Sequence, residues 1–219
     1  MRKNVLKFMG LFMAGVVVMQ GVFAAGGKAK AAVEAFNAEV EAAIAEIKAA
    51  YDAQVAALNA KIAEIGKQIS EDYAGEAVHL LCILKGSVFF TCELAKRITV
   101  PVSLDFMSVS SYGDGTASSG IVKIAKDLDE TIEGKNVIVI EDIIDSGRTL
   151  HYLLDVLQKR KPKSMKLCTL LDKPERRVVD VNVNYTGFVI PDEFVVGYGL
   201  DYAQKYRNLP YIGVVEGLE

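Results

Sequence analysis

The chain has 219 residues, a formal net charge of −3, and a hydrophobic content of 51%. This length allows one domain of ordinary size plus an appendage, with enough apolar residues for a large core. The charge argues against a dedicated nucleic-acid-binding protein, which normally carries a basic patch. Cys82, Cys92 and Cys168 lack metal-ligand spacing and lie in apolar segments, which predicts buried, reduced thiols. No motif surrounds His79 or His151, so zinc binding and histidine-based catalysis are not expected.

The first 25 residues form a segment of their own. Residues 8–27 carry no charge and follow three basic residues, and small residues at 22–24 suit a signal peptidase. This pattern is typical of a secretory signal, or of a short membrane anchor if it is not cleaved. The alternative is a buried N-terminal helix. We assign residues 1–25 to a signal-like or anchor segment.

An Ala-rich, Pro-free stretch follows. Its large apolar residues recur at steps of three and four from Val33 to Ile69, which predicts one long helix with a heptad-like stripe. At ~1.5 Å per residue this helix would reach roughly 55 Å. Such a helix either pairs with a second copy of itself or lies along the rest of the chain. We assign residues 28–57 to this heptad-patterned helix and residues 58–219 to the domain behind it.

Residues 78–84 are apolar and predict a buried strand, and a helical stripe begins near Phe89. Lys85 and Gly86 lie between the two elements. At the carboxyl end of a strand this pair can offer an ammonium and a backbone amide to an anion. The alternative is an ordinary turn with a surface lysine.

Two predicted strands, 102–109 and 121–126, flank a small, polar, glycine-rich segment at 110–120. Such a segment cannot bury apolar surface, so we expect it to be mobile. It is either a plain hairpin loop or a lid that shields a reaction from water.

The centre of the chain is residues 137–150. Four branched apolar residues, 137–140, predict a strand buried on both faces of a parallel sheet. The chain then becomes polar, turns tightly at Ser146-Gly147, and continues from Arg148 as an amphipathic helix.

This strand–loop–helix unit predicts an anion site. The first N–H groups of a helix lack internal partners and the helix dipole is positive there, so residues 145–149 can wrap a phosphate. Glu141 and Asp142 lie at the carboxyl end of the strand, where open α/β sheets place ligands. Since carboxylates repel phosphate, they should serve sugar hydroxyls or Mg²⁺.

A further strand is predicted at 165–171, and Lys173 follows it, next to Pro174. A lysine at this end of a strand is placed to meet a ligand carbonyl. Residues 187–202 are then predicted to form a strand, a turn and a second strand.

The run Val-Ile-Val-Ile-Glu-Asp-Ile-Ile-Asp-Ser-Gly-Arg-Thr, residues 137–149, resembles the phosphoribosyl-pyrophosphate (PRPP) loop of type I phosphoribosyltransferases, and in particular of the hypoxanthine(-guanine) enzymes. The resemblance extends from Leu58 to Glu216, with further motifs in the expected order, whereas the preceding residues have no counterpart. It implies an α/β fold with a central, mostly parallel sheet, flanking helices and a small hood, here with a long N-terminal helix added.

The resemblance implies a purine salvage enzyme. It would transfer the 5-phosphoribosyl group from PRPP to hypoxanthine or guanine, giving IMP or GMP and pyrophosphate, with Mg²⁺ as cofactor. Two alternatives stay open: a non-catalytic, nucleotide-sensing regulator with the same fold, and a tethered coiled-coil protein with a vestigial enzyme domain.

The resemblance also implies roles for individual residues. The catalytic acid/base at purine N7 would be Asp145, and the Lys85–Gly86 peptide can be cis in the family. Residues expected to bind PRPP or its phosphates are Glu141, Asp142, Asp145, Ser146, Gly147, Arg148, Thr149, Lys85, Gly86, Ser111, Tyr112 and Arg207. Residues expected to bind the purine are Lys173, Phe194, Val195 and Asp201. Those expected to hold Mg²⁺, partly through water or ligand, are Asp201, Glu141 and Asp142.

The expected partners are the substrates, pyrophosphate and other copies of the chain in a homodimer or homotetramer, with no nucleic acid. Membrane contact is expected only through residues 1–25. PRPP is an intracellular metabolite, so an exported enzyme would lack substrate. We therefore expect a cytoplasmic location, which conflicts with the signal-like start.

Overall fold

The computed structural model describes residues 26–111 and 122–215. The predicted signal or anchor segment, Tyr112, and the rest of the predicted lid up to residue 120 lie outside them. None of the described helices combines the length and apolarity that a membrane span requires.

The first helix, α1, is Gly26–Asp72 and confirms the long helix predicted from the apolar spacing. The chain groups into two compact units, Met1–Ala57 and Leu58–Glu219, and α1 contributes to both. In the first unit the stripe includes exposed side chains such as Ile44, 51% exposed. In the second unit the stripe is buried, from Leu58 onward. The assignment of residues 28–57 and 58–219 as separate domains stays a prediction.

The centre of the second unit is a sheet with the strand order β3-β2-β1-β4-β5-β6. Its strands are β1 Val78–Leu84, β2 Val102–Ser111, β3 Val122–Lys126, β4 Asn136–Ile144, β5 Ser164–Asp172 and β6 Tyr185–Val189. Only β3 is antiparallel to its neighbour; β2, β1, β4, β5 and β6 pair in parallel. Strand β1 and residues 136–140 of β4 are almost wholly buried, as expected for apolar runs inside a parallel sheet.

Helices cover both faces of this sheet. The end of α1 and helix α2, Val88–Ala95, pack on one face, and helix α3, Arg148–Gln158, packs on the other through Leu150, Leu153 and Leu157. Two short antiparallel strands, β7 Val195–Val196 and β8 Gly213–Val214, form a separate small sheet. The predicted fold class is therefore confirmed: a mostly parallel α/β sheet with flanking helices, as in type I phosphoribosyltransferases.

Three details differ from the sequence-based expectations. Cys92 is exposed because it lies on the outer face of α2, whereas Cys82 and Cys168 are buried in strands. The cis peptide joins Leu84 and Lys85, one position before the predicted Lys85–Gly86 bond. Strand β4 does not end at its acidic residues; it continues to Ile144, because its backbone still pairs with β5 there.

Candidate active site

The loop between β4 and α3 has the geometry of an anion cradle. Gly147 precedes the first residue of α3 and adopts a φ of +80°, a conformation that favours glycine. A Cβ at this position would also press on the carbonyl oxygen of Val179. The chain therefore turns abruptly at Gly147, and the N-terminal amides of α3 face the carboxyl edge of the sheet.

Two acidic residues, Glu141 and Asp142, lie half-buried near the end of β4. Burial, and secondly the charge of Asp142, raise the pKa of Glu141 well above its usual value. Burial likewise raises the pKa of Asp142 to about 6, although the backbone N–H of Ile143 donates to its Oδ1 at 2.7 Å and opposes the shift. The Oε2 atom of Glu141 is buried without a hydrogen-bond partner. A buried carboxylate oxygen without a partner, beside a second acid of raised pKa, is typical of a site that awaits a ligand.

The loop after β1 approaches these acids closely. A Cβ at Gly86 would collide with the Asp142 carboxylate, and a Cβ at Gly199 would collide with the carbonyl oxygen of Gly86. Lys85 extends from the same loop, and its Nζ donates to Gln204 Oε1 at 3.4 Å. Glycine at both positions thus lets three backbone segments meet at one edge of the sheet.

Asp201 and Arg207 form an ion pair within this region, with 2.7 Å between Oδ1 and Nη2. Arg207 also donates from Nη1 to the Gly199 carbonyl at 2.7 Å, and its Nε is buried without a partner. The charge of Arg207 lowers the pKa of Asp142, and the charge of Asp201 raises it. The two residues therefore belong to the same electrostatic site as the end of β4.

The predicted purine residues follow β5 and flank the small sheet. Lys173 is buried, at 6% exposure, and its Nζ lies 3.8 Å from Asp192 Oδ1. Phe194 is 45% exposed and packs edge-on against Tyr202, with 5.8 Å between ring centroids. An exposed aromatic ring and a buried ammonium that follow the paired strands β6 and β5 suit a flat heterocycle that carries a carbonyl.

Asp145 lies in the β4–α3 loop, half-exposed, with its Oδ1 2.9 Å from Arg176 Nε. Arg177 Nε donates to the Asp145 carbonyl oxygen at 3.2 Å, and its Nη2 pairs with Asp172. Sequence reasoning missed Asp172, Arg176, Arg177 and Asp192. No local pattern marks them, because these charged residues become partners only when the segments that follow β5 and β6 lie next to the β4–α3 loop.

The side chains alone do not form a metal cage. Within residues 26–111 and 122–215, no three His, Cys, Asp or Glu side chains cluster as metal ligands. A Mg²⁺ ion at this edge would take most of its ligands from a substrate and from water, which is its common mode of binding.

Comparisons with known proteins agree with this geometry. The sequence model of the phosphoribosyl transferase domain family matches residues 52–203. A hypoxanthine-guanine phosphoribosyltransferase from Streptococcus thermophilus is 58% identical over 153 residues, which cover 70% of this chain and 85% of that protein. A hypoxanthine phosphoribosyltransferase from Salmonella typhimurium is 56% identical over 156 residues, covering 70% and 88%.

Solved structures show the same relationship. A hypoxanthine-guanine phosphoribosyltransferase from Bacillus anthracis is similar with a TM-score of 0.71 and 54% identity, covering 74% of this chain and 95% of that one. A hypoxanthine phosphoribosyltransferase from Staphylococcus aureus gives a TM-score of 0.73 and 50% identity, covering 74% and 89%. The chain therefore belongs to the phosphoribosyltransferase family, as an enzyme of its hypoxanthine and hypoxanthine-guanine branch.

Proposed function

We propose that this enzyme transfers the 5-phosphoribosyl group of PRPP to N9 of a 6-oxopurine, hypoxanthine or guanine, and releases pyrophosphate. The observation that carries the proposal is the junction of β4 and α3, where a glycine turn and the first turn of α3 adjoin Glu141, whose Oε2 is buried without a hydrogen-bond partner. The amides suit a phosphate, and the acids suit the hydroxyls of the attached sugar.

Residues 145–149 would bind the 5′-phosphate of PRPP. The α3 amides and the hydroxyls of Ser146 and Thr149 are the donors, and Arg148, which is exposed, adds a positive charge. The pyrophosphate group would lie against Lys85, the Gly86 amide and Arg207. The buried, unpartnered Nε of Arg207 supports this role, since a phosphate oxygen would satisfy it.

Glu141 and Asp142 would hold the ribose hydroxyls, and with Asp201 they fit a Mg²⁺ ion bound chiefly by substrate and water. The unpaired Oε2 of Glu141 and the raised pKa of Asp142 support the fit, because a cation or a hydroxyl donor would relieve both. When bound, Mg²⁺ supplies charge neutralisation to the departing pyrophosphate.

The purine would stack on Phe194, with its ring edge read by the backbone of Val195 and its 6-oxo group accepting a hydrogen bond from Lys173. Asp201 would lie at the side of the base that faces pyrophosphate. As N9 bonds to ribose C1 and the bond from C1 to pyrophosphate breaks, Asp145 accepts the proton from N7. The positive charge that develops on the ribose would be stabilised by the fixed carboxylates of Glu141 and Asp142 rather than by mobile water.

Ser111 and Tyr112 would close over the pyrophosphate as part of a lid. This role is a proposal from the family pattern, because Tyr112 lies outside the described residues. Two further proposals have the same basis: a cytoplasmic location, where PRPP is made, and a homodimeric or homotetrameric assembly.

The test is PRPP-dependent formation of IMP and GMP by the purified protein, followed spectroscopically with hypoxanthine and guanine in turn. We expect turnover with both bases and release of one pyrophosphate per nucleotide. Binding of PRPP without nucleotide formation would instead indicate a regulator with the same fold.

A further inference from the structure

The segment after β5 is tied to the β4–α3 loop by its backbone. Lys173 N donates to Ile144 O at 3.0 Å, and Val178 N and Val179 N donate to Ser146 O at 3.0 and 3.1 Å. The short 3₁₀ helix Pro174–Arg176 lies between these anchors. The Arg176 backbone is therefore fixed beside Asp145.

The guanidinium of Arg176 bridges two acids. Its Nε lies 2.9 Å from Asp145 Oδ1, and its Nη1 donates to Asp192 Oδ1 at 3.3 Å. The same Asp192 oxygen lies 3.8 Å from Lys173 Nζ. A continuous series of ion pairs thus connects Asp145, the proposed acid/base, with Lys173, the proposed hydrogen-bond donor to the 6-oxo group.

We propose that Arg176 is a positioning residue for the two side chains that act on the purine, Asp145 and Lys173. It orients the Asp145 carboxylate toward N7 and, through Asp192, restrains Lys173 at the 6-oxo group. This inference rests on the proposed function. An arginine suits the role because it stays charged at every relevant pH and its planar fork can hold two carboxylates at once.

This ion pair engages one oxygen of Asp145, Oδ1, which has no hydrogen-bond partner among the described residues. The other oxygen can therefore receive the N7 proton while the first is held. Side-chain exposures of 52% for Arg176 and 46% for both Asp145 and Asp192 mean that the pairs contribute little to stability. A catalytic effect of Arg176 can thus be separated from an effect on folding.

The first experiment compares Arg176→Ala and Arg176→Lys with the wild type. We expect Arg176→Ala to lower kcat for hypoxanthine about 10- to 100-fold, since a misplaced catalytic group costs this much. The KM for PRPP and the melting temperature should stay unchanged, and Arg176→Lys should restore part of kcat. The matched control is Arg160→Gln, which removes an arginine paired with Asp127 elsewhere and should leave kcat unaltered.

The second experiment places Arg176→Ala in an Asp145→Asn background. If Arg176 acts through Asp145, its loss should have little further effect there, because the two changes are coupled. An Arg176→Ala enzyme with wild-type kcat, or with an undiminished effect in the double variant, would overturn the inference. Wild-type turnover in Asp145→Asn alone would instead overturn the proposed function.

Discussion

Two pairs of acidic residues, one pair at each edge of the parallel sheet, have pKa values shifted in opposite directions. At the amino edge, hydrogen bonds from Lys166 and then Tyr185 lower the pKa of Asp72, and those from Lys163 and then Asn136 lower the pKa of Glu76. At the carboxyl edge, burial raises the pKa values of Glu141 and Asp142.

This difference separates residues that stabilise the fold from residues kept for a ligand. The amino-edge acids meet their cations directly, with Asp72 2.7 Å from Lys166 Nζ and Glu76 2.5 Å from Lys163 Nζ. At the carboxyl edge, Glu141 and Asp142 instead lie against each other, with Asp142 also against Gly86, so their ionisation is unfavourable until a partner arrives. Residue type alone therefore does not distinguish a structural acid from a functional one.

The largest expected effect comes from the carboxyl edge. Asp145→Asn removes the proton acceptor without changing the size of the side chain, so turnover should fall about 100-fold or more. PRPP binding, measured by calorimetry, should change little, because the loop amides remain. Unaltered turnover would remove Asp145 from its proposed role.

A second change at this edge tests base selection. Lys173→Met deletes an ammonium that donates to a 6-oxo group and not to a 6-amino group. The ratio of kcat/KM for hypoxanthine over adenine should fall by about 10-fold or more. A ratio that stays constant while both rates drop would show that Lys173 acts only on packing.

Asp142→Asn should lower turnover and yet stabilise the ligand-free protein at pH 7.5. The folded-state pKa of Asp142, about 6, exceeds the usual 3.8, so protonation favours the fold below pH 4 and this stability is lost as the pH rises through 6. The melting temperature of the variant should exceed that of the wild type by a few degrees at pH 7.5, since ~1 kcal/mol shifts it by about 2–4 °C. Below pH 4 the gain should disappear.

Asp72→Asn at the amino edge should show the opposite sign and the smallest effect. The pKa of Asp72 is lowered in the fold, so its stabilisation is present above pH 4 and is lost as the pH falls through the folded-state pKa. Because Asp72 is exposed, a decrease of about 1–2 °C is expected at pH 7.5, with normal turnover. A rise in melting temperature would contradict the comparison of the two edges.

Much of this architecture follows from local sequence. Unbroken apolar runs mark β1 and β4, and steps of three and four mark α1 and α3, because these periodicities reflect which faces are buried. Gly147 could be assigned in advance, since a strand that passes directly into a helix requires a sharp turn there.

The remainder depends on contacts between distant segments. The approach of Asp142 to Gly86 and the bridge from Arg176 to Asp145 and Asp192 join residues on different loops. No local pattern encodes these pairs, because they arise only after parallel strands bring their carboxyl ends to one edge. For the same reason Cys92 could not be separated from the buried cysteines: its exposure depends on which face of α2 packs on the sheet.

The most direct test is a crystal structure of the protein with PRPP and Mg²⁺. The 5′-phosphate should lie on the amides of residues 145–149, with the ribose hydroxyls at Glu141 and Asp142 and the pyrophosphate near Lys85 and Arg207. PRPP bound away from the β4–α3 loop, or no binding at millimolar concentration, would contradict the assignment of the carboxyl edge as the active site.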